Sequence, residues 1–315
     1  IMSIKFHLPS FTDHFRFNMV FLSMMENCKD FLRDDVEIAS IFGVFPPSIW
    51  NGGRTQVGTC DPKFIETVIK TINGKGIPLR FTFTNPMLEE KHLEDKFCNN
   101  IMRLADNGLN EAIVVSPLLE EYIRKNYPKY KITSSTCKRL DSVDALNEEL
   151  EKDYNLVVMD YDLNNRFELL EQIKHKDRCE ILVNSCCQPK CKRRSQHYKD
   201  IGLQQIAYCE YLEKYPDGRF TKDNLPEGIE LFECPSMDST LFQIKDYCTH
   251  ITPDDIFNKY VPMGFNQFKI EGRTSGMFNL METYMYYLVK PEYRDEARFL
   301  FMINLKENGI INCRG

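Results

Sequence analysis

Three closely spaced cysteines follow a short apolar run in the middle of this 315-residue sequence. The segment Cys179–Tyr198 reads CEILVNSCCQPKCKRRSQHY, and its clustered thiols begin at Cys186, just after the apolar residues stop. Three residues separate Cys187 from Cys191, and a loop of this reach can place two thiolates on one metal centre. The segment therefore predicts a metal site in the loop that follows a buried strand.

Two thiolates do not complete a four-coordinate metal site, so other loops must supply the remaining ligands. Cys60, in the segment WNGGRTQVGTC, is the best placed third ligand, and Cys234, in the segment LFECPSMD, is the natural fourth. The cysteines that could replace one of these ligands are Cys186, Cys209, Cys248 and Cys137. Zinc and an iron–sulfur cluster both accept four thiolates, so the cysteine pattern is compatible with either of them. The alternative hypothesis is that Cys186 and Cys187 are small buried hydrophobic residues.

Charged residues near other strand ends are the candidates for substrate binding or catalysis. Glu271 and Arg273 alternate along the last predicted strand, so both can face one side of it. A guanidinium binds a carboxylate or a phosphate through two hydrogen bonds, although an internal ion pair is the alternative role of these two residues. Asp160 and Asp162 could act as an acid and a base, because neighbouring carboxyl groups separate their pKa values, or they could cap a helix. The residues identify no other catalytic group.

The overall charge argues against a polyanionic partner. Asp and Glu outnumber Lys and Arg by 46 to 40, which gives a net charge of -6 at pH 7. A chain of this charge has no general attraction for nucleic acid, so any anion must bind at a local site. We therefore expect a small-molecule or carrier-bound substrate and no nucleic-acid partner.

The cysteine content and the apolar stretches indicate the compartment. Twelve cysteines in a sequence without a recognisable export signal favour reduced thiols over a disulfide framework. The apolar stretch Phe17–Met25 is too short to cross a bilayer and is typical of one side of an amphipathic helix. We therefore expect a cytoplasmic protein with no membrane span.

Eight short apolar or alternating runs, each followed by a helical pattern or a long loop, predict the elements that position these residues. The runs are Ile4–Leu8, Val36–Phe45, Pro78–Thr84, Glu111–Ser116, Tyr130–Ser135, Leu156–Tyr161, Cys179–Asn184 and Gln267–Gly272. The helical patterns are Thr12–Phe31, Pro62–Gly74, Leu88–Asn107, Leu118–Asn126, Val143–Asp153, Arg166–His175, Phe278–Val289 and Pro291–Asn308. This alternation predicts a single α/β domain over residues 1–315, a (β/α)8 barrel of the TIM type, with a doubly wound open sheet as the alternative.

The connection between the seventh and eighth predicted strands is far longer than a usual strand-to-helix unit. It spans residues 186–266 and contains the turn sequences PDG and PEG. We predict that it is an ordered, cysteine-bearing excursion that caps the mouth of the barrel, where functional residues collect at the carboxyl ends of the strands.

Two parts of the sequence resemble a known family. The segment THITPDDIFNKYVPMGFNQFKIEGRTSG is similar to the part of collagenase-like U-type peptidases in which a helix leads to a strand ending in KIEGR. The segment NSCCQPKCKRRSQHY resembles the cysteine motif that precedes it in the compact branch of that superfamily. WNGGRTQVGTCD resembles a cysteine loop of the oxygen-independent ubiquinone-hydroxylation members. The SGxC and NRGxC pattern of the larger peptidase-like members is absent from the sequence.

The resemblance implies a barrel that carries a [4Fe-4S] cluster. Cys187 and Cys191 match the C-x3-C motif, Cys234 matches the later cysteine, and Cys60 matches the early one. The motif of the eighth strand corresponds to Lys269, Glu271, Gly272 and Arg273. These matches imply oxygen-independent, hydroxylase-like redox chemistry on a small or carrier-bound substrate. Two alternatives stay open: a non-catalytic metal-bearing subunit that pairs with a homologous partner, and a metal-dependent peptidase.

Overall fold

Eight parallel strands form a closed barrel in the computed structural model, which describes residues 3–229, 234–237 and 239–312. The strands are β1 (Ile4–Pro9), β2 (Val36–Gly43), β3 (Leu79–Phe83), β4 (Glu111–Val114), β5 (Lys131–Ser134), β6 (Leu156–Val158), β7 (Cys179–Leu182) and β8 (Gln267–Lys269). Each strand pairs with its neighbour in sequence, and β1 also pairs with β8, which closes the barrel. The predicted barrel is confirmed, and the doubly wound open sheet is wrong.

The strands form where the sequence is apolar and is bounded by turns. Every residue of β3, β4, β6, β7 and β8 is buried. Parallel strands that are buried on both faces are mostly apolar, and the charged residues of these strands, Arg80, Glu111, Glu180 and Lys269, lie in ion pairs. Each observed strand begins within one residue of its predicted run, and most end earlier, because the polar residues that follow form loops at the mouth of the barrel.

Helices occupy the connections between the strands. The α-helices are α1 (Phe15–Asn27), α2 (Pro62–Gly74), α3 (Glu90–Leu93), α4 (Lys96–Leu104), α5 (Pro117–Asn126), α6 (Val143–Leu150), α7 (Phe167–Leu170), α8 (Arg194–Lys214), α9 (Leu241–Ile244), α10 (Pro253–Asp255), α11 (Met277–Leu288) and α12 (Arg294–Glu307). A π-helical turn covers Ile256–Tyr260, and short 3-10 turns cover Lys29–Phe31, Thr136–Lys138, Tyr161–Leu163, Lys176–Arg178, Lys222–Asn224 and Pro291–Tyr293. Within the described part of the chain, no helix combines the length and the apolar character that crossing a membrane requires.

Side-chain caps explain where several helices begin. The predicted helix Pro62–Gly74 is confirmed at both ends, and Asp61 caps its first turn. The single predicted helix Leu88–Asn107 is wrong, because the structure has two helices there. Asp95 accepts the hydrogen bond of a backbone amide and caps the start of the second helix. The predicted helix Arg166–His175 is also too long, since α7 forms a single turn.

The excursion between β7 and β8 contains a long helix that its sequence does not predict. The cysteine loop leads directly into α8, which has 21 residues. Tyr198, Asp200 and Gln205 are all buried on this helix. A buried face that mixes polar and apolar side chains has no clear apolar repeat of 3.6 residues, so hydrophobic periodicity does not reveal the helix.

The barrel interior below the mouth holds a group of buried charged side chains. Arg80 of β3 pairs with Glu180 of β7, and its Nε lies 3.2 Å from Glu111 Oε2 of β4. Lys269 Nζ of β8 and His7 Nε2 of β1 each lie 3.5 Å from a carboxylate oxygen of Glu180. Burial raises the pKa of Glu180, but the neighbouring cations outweigh it and hold the pKa at about 2. Burial lowers the pKa of His7 to about 3, so this ring is neutral. Four charged side chains and one neutral histidine therefore link five strands across the barrel.

Candidate functional site

A cavity with about 100 Å³ of free space lies at the carboxyl ends of the strands. The strand residues that line it are Phe42, Thr82, Ile113, Val158, Leu182 and Lys269. The main polar and thiol groups that line it from the connections between strands, including α8, are Arg54, Cys137, Tyr161, Cys186, Cys187, Arg194, His197, Tyr198, Cys234, Glu271 and Arg273. This is the end of a (β/α)8 barrel at which functional residues are expected.

The cavity brings some of the predicted metal ligands together. Cys187 and Cys234 line it, as do the substitutes Cys186 and Cys137. Cys191 belongs to the same loop as Cys187 but is not among the lining residues. Burial raises the pKa of the Cys187 thiol, and the neighbouring Cys191 raises it further. Cysteines from three separate loops therefore line one space.

The remaining predicted ligands lie elsewhere. Cys60 is partly exposed, packs against the core just before α2, and has a pKa raised to about 11 by burial and by Asp13. Cys209 lies on α8, where burial raises its pKa to about 12, and Cys248 is exposed. The described residues contain no group of three or more Cys, His, Asp or Glu side chains arranged around one metal ion. The set of four cysteine ligands stays a prediction.

Glu271 is held between a guanidinium and a thiol at the mouth. It forms an ion pair with Arg54 from the loop after β2. The carboxylate also accepts hydrogen bonds from the Cys186 amide at 2.9 Å and from the Cys186 thiol at 3.3 Å. Burial raises the pKa of Glu271, but Arg54 and these hydrogen bonds bring it below its ordinary value. The counter-ion of Glu271 is thus Arg54 rather than Arg273 of its own segment.

Arg273 has only neutral hydrogen-bond partners in the described ranges. Its Nη1 donates to Asn51 Oδ1 at 3.0 Å and to Thr82 Oγ1 at 2.8 Å. Its Nη2 donates to the Gly52 carbonyl oxygen at 2.9 Å. Burial and the positive charge of Arg54 lower the pKa of Arg273 to about 10, so the group stays charged at neutral pH. A cation without a bound carboxylate therefore faces the cavity.

Asp160 and Asp162, the predicted acid and base, lie in ion pairs beside the cavity. Asp160 is fully buried, and its carboxylate lies 3.0 Å from both Arg139 Nε and Arg194 Nη1. It also caps a 3-10 turn by accepting a hydrogen bond from the Asp162 amide at 2.8 Å. Asp162 Oδ2 lies 3.1 Å from Arg194 Nη1. This geometry is that of the capping alternative, with each carboxylate bound by an arginine.

The cysteine loop after β7 is anchored by the same ion-paired residues. The guanidinium of Arg194 lies 4.0 Å from the centre of the Tyr161 ring and donates to the Gln188 carbonyl oxygen at 3.2 Å. Asp162 accepts a hydrogen bond from the Lys190 amide at 2.9 Å. Two backbone atoms of the loop are thus hydrogen-bonded to the ion-paired side chains of Arg194 and Asp162, which gives the thiols on either side a defined position.

Gly52 is the residue at which the loop after β2 passes closest to the end of β3. A Cβ atom added there would lie 2.1 Å from the Thr84 carbonyl oxygen, so alanine must displace the loop. We expect Gly52→Ala to lower the free energy of unfolding by about 1–3 kcal/mol and to shift the hydrogen-bond partner of Arg273. Denaturant titration measures the loss. Gly74→Ala in α2 is the control, because an added Cβ meets no atom within 4 Å, and an equal loss in both variants would contradict the expectation.

The sequence does not show that these residues lie together around one cavity. Arg54 pairs with Glu271 although 217 positions separate them, and no local pattern signals such a contact. Cys137 and Tyr161 each lie within three residues of the end of a strand, so the strand-end rule does indicate them. Arg194 belongs to a basic run that also fits an exposed loop, yet it is buried.

Comparison with known proteins gives partial matches. No family model matches the chain. An uncharacterized protease of Methanocaldococcus jannaschii is 26% identical over 174 residues, which cover 55% of this chain and 47% of that protein. The chain thus spans about half the length of this curated relative. The solved structure of the U32 peptidase Mk0906 aligns with a TM-score of 0.48 at 12% identity, over 86% of this chain and 94% of that chain. The chain is therefore similar, over part of its length, to a protein named as a protease.

Proposed function

We propose that the chain is an iron–sulfur barrel enzyme that modifies an anionic small or carrier-bound substrate at the mouth of the barrel. The observation that supports this proposal is that cysteines from three loops line one cavity: Cys137 after β5, Cys186 and Cys187 after β7, and Cys234 in the excursion. Buried cysteines are common in protein cores. These thiols instead lie at the end of the barrel that carries functional residues in this fold.

The donor chemistry of the cavity fits a centre bound by thiolates. All cysteines of the described segments are free, so their thiols are available as ligands. Burial raises the pKa of Cys186 and Cys187, so each thiol must lose a proton when a metal binds. Arg54 Nη2 lies 3.1 Å from Cys186 Sγ. Arg194 lowers the pKa of Cys187 and so opposes the effect of burial. These cations would stabilise the negative charge of thiolate ligands.

The proposed ligands combine the sequence prediction with the contents of the cavity. Cys187, Cys191 and Cys234 would be the first three ligands of a [4Fe-4S] cluster. The fourth would be supplied by one of Cys60, Cys137 and Cys186. Zinc is the alternative metal, since it accepts the same ligand type.

The chain's own residues would bind and orient the substrate. Arg273 would bind its anionic group, because a guanidinium pairs well with a carboxylate or a phosphate. The hydroxyl oxygens of Tyr161 and Tyr198 lie 3.4 Å apart at the cavity wall. Burial raises the pKa of both tyrosines, so they stay protonated and can donate a hydrogen bond to a substrate oxygen. When bound, an iron–sulfur cluster supplies electron transfer.

Metal analysis of protein purified without oxygen tests the proposal. We expect a broad visible absorption band with about four iron and four sulfide ions per chain, the composition of a [4Fe-4S] cluster. Colourless protein with about one zinc ion per chain would indicate a structural zinc site instead. Protein that binds neither metal, before or after reconstitution with iron and sulfide, would contradict the proposal.

A peptidase is the second candidate, and the similarity to an uncharacterized protease supports it. His197 lines the cavity, and burial together with Arg54 lowers its pKa. A neutral imidazole can accept a proton from an attacking nucleophile. The buried thiols have raised pKa values, which makes them weak nucleophiles at neutral pH.

Cleavage assays on collagen-like peptides separate the two candidates. A peptidase would cleave them, and His197→Gln would reduce the rate by roughly 100-fold or more, as expected for loss of a general base. The iron–sulfur proposal expects no cleavage by pure protein. A cleavage activity that is lost on chelation and restored by zinc would favour the metal-dependent peptidase.

A further inference from the structure

We infer that the cavity binds a carboxylate attached to an apolar body, with Arg273 binding the carboxylate and the barrel's apolar upper side chains contacting the body. The inference rests on the proposal that this cavity is the site of the reaction. It adds the chemical class of the ligand.

The hydrogen bonds of Arg273 leave two of its N–H donors available. An arginine has five N–H donors. The three contacts to Asn51, Thr82 and Gly52 use two donors of Nη1 and one of Nη2. Nε–H and the second Nη2 hydrogen have no acceptor within the described residues. Nε and Nη2 lie side by side, so an edge of this kind can bind a carboxylate through two parallel hydrogen bonds.

The other cations of the cavity already have carboxylate partners. The pairs are Arg54 with Glu271, Lys269 with Glu180, and Arg194 with Asp160. An added anion competes with an existing ion pair at each of these three positions. At Arg273 it would instead neutralise a partly buried positive charge, which is favourable where the dielectric constant is low.

The body of the ligand would meet an apolar wall. Ile113, Val158 and Leu182 line the cavity from β4, β6 and β7, and each is buried. Apolar atoms gain free energy when they leave water for such a surface. The free space of about 100 Å³ is smaller than the roughly 150 Å³ cavity that holds benzene, so the apolar body must be small: a short branched chain, or a ring that enters only in part.

Two sources share this chemistry. One is a free small acid, and the other is the terminal carboxylate of a peptide that ends in an apolar residue. Both present a carboxylate next to an apolar group. Benzoate represents the first source, and N-acetyl-leucine represents the second.

Isothermal titration of the full chain tests the inference with four probes: benzoate, N-acetyl-leucine, benzamide and acetate. We expect at least one of benzoate and N-acetyl-leucine to show saturable binding. Benzamide lacks the charge and acetate lacks the body, so each should bind at least about ten-fold more weakly than benzoate. Tighter binding of N-acetyl-leucine than of benzoate would support the peptide source, and the reverse order would support the free acid.

Variants assign the binding to the proposed atoms. Arg273→Gln should weaken benzoate binding by roughly ten- to a hundred-fold, the range for a lost charged hydrogen bond. Ile113→Asn should weaken benzoate binding but leave acetate binding unchanged. Arg298→Gln is the matched control, because this arginine pairs with Glu282 on α11 and does not line the cavity. It should bind benzoate as the wild type does.

Three results would overturn the inference: equal binding of benzoate and benzamide, unchanged binding by a folded Arg273→Gln variant, or no binding of either acid. Arg273→Lys serves if the glutamine variant does not fold, and it should bind benzoate more weakly than the wild type, because it cannot form two parallel hydrogen bonds. The titrations use protein with and without reconstituted iron. Binding without iron uptake would remove the iron–sulfur proposal alone, and iron uptake without binding would remove this inference alone.

Discussion

Replacing Glu180 by glutamine is expected to lower the free energy of unfolding by about 3–5 kcal/mol. Glutamine keeps the shape of the side chain and removes its negative charge. Arg80 would then keep Glu111 as its carboxylate partner, and Lys269 would lose its pairing with Glu180. A buried charge that loses its partner is costly, and typical domains have only about 5–15 kcal/mol of stability. Urea titration followed by circular dichroism measures the loss.

The same carboxylate makes stability depend on pH with a defined sign. The pKa of Glu180 is about 2 in the folded protein, below its ordinary value of 4.5. Its stabilising effect is therefore complete above pH 4.5 and is lost as the pH falls towards 2. The difference in stability between the wild type and Glu180→Gln should shrink over this range.

The control for this experiment is Glu282→Gln. Glu282 pairs with Arg298 near the surface, and such pairs contribute about 0–1 kcal/mol. A Glu180→Gln variant as stable as this control would show that the buried charges do not hold the strands together. A stability difference that stays constant down to pH 2 would show that the Glu180 carboxylate is not its source.

Replacing Arg194 by glutamine is expected to cost about 3 kcal/mol and to make the cysteine loop accessible. The variant loses the ion pairs to Asp160 and Asp162, the contact with the Tyr161 ring and the hydrogen bond to Gln188. Asp160 would keep only its pairing with a second arginine. Denaturant titration measures the loss of stability.

The rate of thiol labelling measures the loosening of the loop. Peptide mapping after reaction with a thiol reagent should show faster labelling of Cys187 and Cys191 in Arg194→Gln than in the wild type. Lys192→Gln is the matched control, since this lysine is an exposed cation on the same loop. Equal labelling rates in the two variants would mean that Arg194 does not position the thiols.

The barrel could be predicted because its strands carry their own signal. Runs such as Cys179–Leu182 are buried on both faces, and apart from Glu180 their residues are apolar. Helix α8 gives no such signal, because its buried residues include Asp200 and Gln205. The buried charge pair of Arg80 and Glu180 joins strands that are 100 residues apart. Tertiary pairing of this kind has no local pattern.

Part of the candidate site could also be predicted, because parallel strands deliver the residues that follow them to one end of the barrel. This rule selects Cys186, Cys187, Glu271 and Arg273, and all four line the cavity. It does not reveal which charges pair, so the partner of Glu271 is found only in the structure. Cys60 also follows a strand, but it does not line the cavity, and spacing alone does not show where such a long loop ends.

The most direct test of the account is the iron and sulfide content of two matched variants, Cys187→Ser and Cys248→Ser, purified without oxygen and reconstituted in parallel. Cys187 lines the cavity, whereas Cys248 is exposed and lies outside it. We predict that Cys248→Ser keeps about four iron ions per chain and that Cys187→Ser loses the visible absorption band with most of its iron. Equal iron and equal absorption in the two variants would contradict the proposal that the thiols at the mouth of the barrel hold a cluster.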